Sequence, residues 1–436
     1  MSTAGPPQGA QHRSAQGEGT PASTAGPPES LPRILGKVRV LDLTRVVAGP
    51  WCTQTLADLG ADVLKIERPG EGDDTRKVGP YVTDAQGQAT KDSAFFMGSN
   101  RGKRSVTVDI ATPEGARLVR ELALQCDVFI ENYKVGALQK YGLDAASIRA
   151  LNPRIIYCSV TGFGQDGPSA PRPAYDSVMQ AMCGLMSTCG HPDGEPGAGP
   201  MRSAVPIADI FTGLYAAIGI LAALMQRDQT GHGQCIDAAM VDVTTAINAH
   251  LALGYLMTGK VPQRQGNNNP ITAPSEVFRA SDGYFSMSAA NVGQFASMLQ
   301  ALELDPAIDQ DPRFASGMAR IKHRRALHDI LEARTVQQPV RHWIDRLSPR
   351  NVPCAPIYDM QQLFDDPHVR HRGLVMHLPH ASGVDVPVLR SPLHLSDAPV
   401  QHRAPPMLGE HTDTVLRELL KRSESDIAQL RSAGVV

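Results

Sequence analysis

Short β-type runs alternating with helices predict an α/β fold: a mostly parallel open sheet covered on both faces, joined to a smaller α+β domain. Two observations carry this. Between residues 38 and 160, apolar runs of strand length recur with helical stretches of about 8–13 residues between them, the signature of parallel strands linked by crossovers. Beyond Gly259 the texture changes to a turn-prone loop and a second set of shorter elements. The 436 residues also exceed what one compact core usually holds.

The elements follow in order. Val38–Leu43 (VRVLDL) reads as a buried strand, then a Gly49–Pro50 turn and a short helix from Trp51 to Leu59. Ala61–Glu67 is the next strand, and Ser105–Ile110 a third with apolar alternation at Val106, Val108 and Ile110. Thr112, Pro113 and Glu114 supply an N-cap, a proline at the first helical position and an early acid, so a helix runs from there to about Gln125. Asp127–Glu131 and Arg154–Val160 are further strands, with a helix over Ala145–Leu151 between them. Helical stretches are expected at Asp176–Ser187, Asp209–Arg227 and Met240–Met257. Strands at Ser275–Arg279 and Tyr284–Ser288, with helices near Gly293–Leu302 and His323–Ala333, build the smaller domain, and Asp413–Arg422 is a closing helix. The expected organisation is a Gly/Pro/Ser-rich disordered tail over 1–33, a large α/β domain over 34–230 and a linker helix region over 231–259. A small domain over 260–372 and a return to the large domain over 373–436 complete it.

Composition narrows the function classes. A net charge of −2 creates no field that would gather nucleic acid or an anionic membrane. The longest apolar run, Ile210 to Met225, is shorter than a bilayer span needs and reads as a buried helix. Seven cysteines without a CxxC pair indicate reduced thiols and a cytoplasmic protein rather than a disulfide scaffold or zinc site.

Gly162, Gly164 and Gly167 spell GxGxxG after a strand, but Pro168, Pro171 and Pro173 follow, so no helix can start there to meet a pyrophosphate. The pairs His368/His371 and His377/His380 sit in short proline-flanked segments and read as solvated loop residues rather than metal ligands. The segment Ser203–Tyr215 (SAVPIADIFTGLY) places Asp209 one residue before a long apolar helix. There it serves either as an N-cap or as an ionised nucleophile held by the helix's positive end. Gly213 would let a substrate or partner backbone approach that first turn.

Several strings together resemble family III CoA-transferases. They are Val38–Asp74 (VRVLDLTRVVAGPWCTQTLADLGADVLKIERPGEGDD), Asn100–Ile110 (NRGKRSVTVDI), Glu131–Gly142 (ENYKVGALQKYG), Asn152–Gly164 (NPRIIYCSVTGFG) and Tyr175–Gln180. Thr230–Gln234 (TGHGQ) and Leu408–Thr412 (LGEHT) continue the likeness, which runs from about Val38 to the C-terminus. The resemblance implies a Rossmann-like large domain plus a small domain in an interlocked, ring-like homodimer. It also implies acyl-CoA and a small carboxylic acid as substrates, with no permanently bound cofactor.

Carried over residue by residue, the resemblance makes Asp209 the catalytic nucleophile. It places coenzyme A contacts at Val47, Ala48, Arg68, Val108, Asp109, Ile110, Ala111, Asn132, Tyr133, Lys134, Lys140, Arg172 and Tyr175. Arg68, Lys134 and Lys140 suit phosphates, and a strand edge at Val108–Ala111 suits adenine. Backbone N–H groups at the start of the Asp209 helix would stabilise oxyanions. Two positions depart from the family pattern: Gly102 replaces a usual asparagine, and Pro173 a common lysine, with Arg172 as its substitute. Acyl-CoA racemases of the same superfamily are the alternative, but they use a His before an Asp where this chain has Tyr175–Asp176, and an unperturbed tyrosine is a poor base near neutral pH. The loop Gly266–Asn269 (GNNN) replaces a glycine run found in oxalate-linked members. The overall pattern resembles members that handle succinyl-CoA and small dicarboxylates, for which Arg45, Arg172 and Arg279 are candidate distal-carboxylate ligands.

Overall fold

A computed structural model describes residues 33–84, 86–398, 400 and 402–436. The tail expected over residues 1–33 therefore lies outside the described residues, save Arg33. The main sheet holds β1 (Arg39–Asp42), β2 (Asp62–Glu67), β5 (Arg104–Thr107), β6 (Val128–Glu131), β7 (Ile156–Thr161) and β8 (Cys235–Ala239), all parallel, in the order β5-β2-β1-β6-β7-β8. Between β2 and β5 the chain makes a side hairpin of β3 (Tyr81–Thr83) and β4 (Ala89–Ser93). Counting only the main-sheet strands in chain order, the sequence across the sheet is 3-2-1-4-5-6, so its direction of winding reverses between β1 and β6. That reversal opens a crevice at the carboxyl ends of the strands, where ligands of such sheets bind.

The central strands are buried on both faces, which is why they read as unbroken apolar runs. One face packs Leu41, Leu64, Val106 and Phe129 under the Pro113–Ala123 helix and the two C-terminal helices, Thr412–Leu420 and Glu424–Ser432. The other packs Val40, Val63, Ile130 and Cys158 under the Ala48–Asp58 and Ile207–Thr230 helices. The latter reaches 24 residues, apolar and long enough by composition to cross a membrane. In the fold it lies against the sheet through Ala216, Ile220 and Ala223, while Phe211, Tyr215 and Ile218 face outward.

The smaller unit is a three-stranded antiparallel sheet, β9 (Ser275–Arg279), β10 (Tyr284–Ser288) and β11 (Cys354–Pro356), with its own core around Trp343. A hairpin, β12 (Val375–Pro379) and β13 (Asp385–Leu389), follows. The chain then returns to the main sheet, where Thr107 N–H donates to Thr412 Oγ1 and His411 N–H to Ser105 O.

Several local expectations need correction. Gly49 and Pro50 form the first turn of the Ala48–Asp58 helix, not a turn before it; a proline that early lacks only an N–H that would be unpaired anyway. Asp176–Ser187 is two short helices because Gly184 takes a left-handed φ of 89°. Met240–Met257 likewise breaks at Asn248–Ala249. Residues 231–259, read as a linker helix region, open with β8, the sixth strand of the main sheet. Strand β5 ends at Thr107, so Val108–Ala111 is a loop: Pro69 follows β2 closely, and Asp109 N–H turns to Val435 O instead.

Candidate active site

The loop after β1 is built on buried charge. Lys65, fully buried, donates from Nζ to Thr44 O at 2.9 Å and to Asp73 Oδ2 at 2.9 Å. Burial opposes its charge, yet Asp73, Asp42 and Glu67 outweigh that and hold Lys65 above its ordinary pKa. Asp73 accepts the Val46 N–H at 3.3 Å, which fixes Val46 at a φ of 72°. A β-branched residue is costly there, and such strain persists only where its surroundings over-determine it. Asn132, after β6, holds the same loop from above: its Oδ1 accepts Arg45 N–H at 2.9 Å and its Nδ2 donates to Arg45 O at 2.7 Å.

Behind Val46 starts the Ala48–Asp58 helix, whose N-cap, Val47, offers no side-chain acceptor. Trp51 N–H bonds to Val47 O, and among the described residues Ala48 N–H has no acceptor. Ala48 is one of the residues that line the crevice.

Across the crevice stands Asp209, the third residue of the Ile207–Thr230 helix. The expectation that it precedes the helix as N-cap is wrong: the N-cap is Pro206, and the capping carboxylate belongs to Asp176. Asp176 Oδ1 accepts Ala208 N–H at 2.8 Å and comes within 3.5 Å of Asp209 N, while its Oδ2 accepts from Gln180 Nε2 at 2.7 Å. Gln180 in turn accepts Ser203 N–H at 2.9 Å. Ile207 N–H goes to Val205 O and Ile210 N–H to Pro206 O. The first-turn amides expected to stabilise oxyanions are therefore already engaged, whereas Ala48 N–H is unclaimed among the described residues.

Nor does the helix end keep Asp209 strongly acidic. Burial first, and then the charge of Asp176, push its carboxyl up to about 7. A carboxylate this basic is a better nucleophile when ionised than an ordinary aspartate.

Asp209 opens into a cavity of ≈ 230 Å³, walled also by Val47, Ala48, Asn132, Tyr133, Lys134, Arg172 and Tyr175. An adjoining cavity of ≈ 430 Å³ is walled by Arg68, Val108, Asp109, Ile110, Ala111, Tyr133 and Lys140. Arg45, Asp74 and Tyr133 belong to both, so all fourteen residues picked from sequence border one or the other of two adjoining cavities, together a two-part groove. Within it their situations differ. Asn132 spends its amide on the Arg45 backbone, Arg68 pairs with Glu71 at 3.2 Å, and Lys140 lies over the Tyr141 ring. Arg279 lies on β9, outside both cavities, with its N–H on Glu332 Oε1.

Sequence reasoning missed Asp176 as the cap, Val46 as a strained wall residue, and Asp74 and Met240 as lining. Asp176 stood in plain view beside Tyr175, but its acceptor role depends on a contact 32 residues away. Gly213 serves a different end from the one expected: a Cβ there would lie 2.4 Å from Ala48 O, so the glycine lets the two helices that carry Asp209 and Ala48 touch. Gly102 has a φ of 78°, near the left-handed region that asparagine also tolerates.

A model of CoA-transferase family III matches residues 35–412. The chain is 43% identical over 394 residues to the succinate–glutarate CoA-transferase of Agrobacterium fabrum, covering 90% of this chain and 97% of that one. It is 39% identical over 430 residues to the human succinyl-CoA:glutarate CoA-transferase, covering 97% and 95%. The crystal structure of a CaiB/BaiF family protein from Brucella suis superimposes with a TM-score of 0.80 at 44% identity, over 90% of this chain and 100% of that one.

Proposed function

The chain belongs to CoA-transferase family III, enzymes that pass CoA from an acyl-CoA to a free acid, and from that premise we propose that it takes CoA from succinyl-CoA or another dicarboxyl-CoA through covalent intermediates on Asp209. The observation that carries this reading is the position of Asp209, half-buried and basic, facing the groove at the switch point of the sheet. The dicarboxylate preference is supported by relatives named for succinate and glutarate.

The Asp209 carboxylate attacks the donor thioester carbonyl and expels CoA thiolate, leaving an aspartyl-acyl mixed anhydride. The thiolate then attacks the aspartyl carbonyl, releasing the donor acid as carboxylate and forming an aspartyl-CoA thioester. An acceptor carboxylate attacks that thioester, expelling CoA thiolate and forming a second anhydride. Thiolate attack on its acyl carbonyl gives the new acyl-CoA and restores Asp209. Charge develops on an oxygen in each step, and the unclaimed N–H of Ala48, a residue of the cavity wall, is the donor we assign to it. Arg68, Lys134 and Lys140 would serve the CoA phosphates, with the adenine near the Val108–Ala111 loop.

An interlocked homodimer is supported by Ile218, Leu253, Leu256 and Met257, which are apolar and more than half exposed in the single chain. Light scattering at micromolar concentration would read the dimer directly.

Incubation with succinyl-CoA, a panel of acids and then hydroxylamine, followed by peptide mass spectrometry, tests the mechanism. An Asp209 hydroxamate together with new acyl-CoA species is the expected result. Absence of both, with loss of α-proton label from a 2-methylacyl-CoA, would place the chain with the racemases.

A further inference from the structure

We infer that Arg172 binds the distal carboxylate of a dicarboxylic acyl group, and so sets the substrate class of the site, an inference that rests on the transferase reading above. Three cations border the cavity that contains Asp209: Arg45, Lys134 and Arg172. Arg45 is already matched to Asp74 at 3.2 Å and lies over Tyr133, at the junction with the second cavity. Lys134 borders the Asp209 cavity and a third cavity beyond it. Arg172 makes no ion pair among the described residues. Its guanidinium rests 4.9 Å from the Phe163 ring centroid, with one long 3.4 Å contact to Ser169 Oγ.

A planar guanidinium supported on an aromatic face, with its forked donors in no ion pair among the described residues, suits a carboxylate better than a flexible ammonium does. The Arg172 backbone is also tied to that of the nucleophile. Ala174 packs so closely on Gly162 that a Cβ at that glycine would lie 2.2 Å from its own, and Asp176, two residues on, caps the Asp209 helix. Arg172 and Asp209 thus hang from one frame. Arg172 and Asp209 border the same cavity of ≈ 230 Å³, so a diacid whose near carboxyl is at Asp209 has a cation on the wall for its far carboxylate. In the reading above Arg68, Lys134 and Lys140 serve the CoA phosphates, which leaves Arg172 for the acyl group.

The test compares wild type with Arg172→Gln and Arg172→Lys, using glutarate and its monoacid counterpart valerate as acceptors, and succinyl-CoA and butyryl-CoA as donors. A charged hydrogen bond lost from one carboxylate predicts that the ratio of kcat/KM for glutarate over valerate falls about 10–100-fold in Arg172→Gln. Arg172→Lys should recover part of it. Equal losses for glutarate and valerate, a raised KM for butyryl-CoA as large as that for succinyl-CoA, or a wild type indifferent to the second carboxylate would each overturn the assignment. Hydroxylamine trapping at Asp209 in the same variants separates the two readings: trapping with an unchanged ratio overturns the role of Arg172 alone, and no trapping in wild type overturns the transferase mechanism itself.

Discussion

Asp176 caps the helix that presents Asp209: its Oδ1 accepts the Ala208 N–H at 2.8 Å and lies 3.5 Å from the amide nitrogen of Asp209 itself. One carboxylate therefore orders the backbone of the other while its charge disfavours ionisation of that neighbour. Burial is the larger cause of the raised Asp209 pKa and Asp176 the second. If Asp209 attacks as proposed, only its ionised form does so, and the rate of the first acyl transfer should fall on the acid side with an apparent pKa near 7. Asp176→Asn keeps an acceptor for Ala208 N–H and removes the charge, so the acid limb should move to lower pH. A pH profile of single-turnover transfer reads this shift. An unmoved limb would mean that burial alone sets the nucleophile's basicity.

Asp209 should be costly to the fold at neutral and alkaline pH. Its folded pKa, about 7, lies above the ordinary aspartate value of about 3.9. Between those values the folded protein holds a proton that the unfolded chain has lost, so stability falls as pH rises toward 7 and stays low above it. Asp209→Asn should therefore raise the melting temperature at pH 8 and give little or no gain at pH 4. The same variant should lose turnover by about 10⁴-fold or more, because an amide forms no anhydride. Calorimetry at the two pH values and steady-state rates check both halves.

The parts of this molecule that were legible in sequence are those governed by local pattern. Val40, Val63, Phe129 and Ile156 sit in strands buried on both faces, so the main sheet showed as apolar runs, and Thr112–Pro113 marked a helix start that the structure keeps. β8 was missed because CIDAA is an edge strand, with Cys235 and Asp237 exposed and only Ala238 and Ala239 buried. The groove residues were found through family strings rather than through physics, and all of them border it. What no local pattern carries is which groups are already spoken for. Asn132 is tied to Arg45, 87 residues earlier, and the Asp209 helix takes its cap from Asp176. Both facts depend on distant segments meeting at the ends of the strands.

The Lys65–Asp73 pair should dominate the stability of the Val46 loop. Both side chains are fully buried, with Lys65 also on Thr44 O and Asp73 also on Val46 N–H and Thr75 N–H. Removing one charge strands the other, so Lys65→Met should cost about 3–5 kcal/mol. Pairing it with Asp73→Asn should recover part of that loss. Urea unfolding of the two single variants and the double variant gives the coupling; additive effects would show that the pair is not held together as described.

Two glycines in the Asp209 helix should respond oppositely to the same substitution. Helix propensity alone favours Ala over Gly by about 1 kcal/mol at either position. At Gly213 a new Cβ would sit 2.4 Å from Ala48 O and 3.1 Å from Trp51 Cβ, against a backbone with no freedom to move. At Gly219 the nearest atoms are the flexible ends of Ile236, at 3.4 and 3.6 Å. Gly219→Ala should therefore be neutral or mildly stabilising. Gly213→Ala should lose about 1–3 kcal/mol through overpacking, and it should also lower kcat, because the helix carrying Asp209 is pushed from the helix carrying Ala48. Denaturation midpoints and steady-state kinetics on both variants test the pair; a Gly213→Ala protein with normal stability and rate would show that the close approach of the two helices does not set the width of the site.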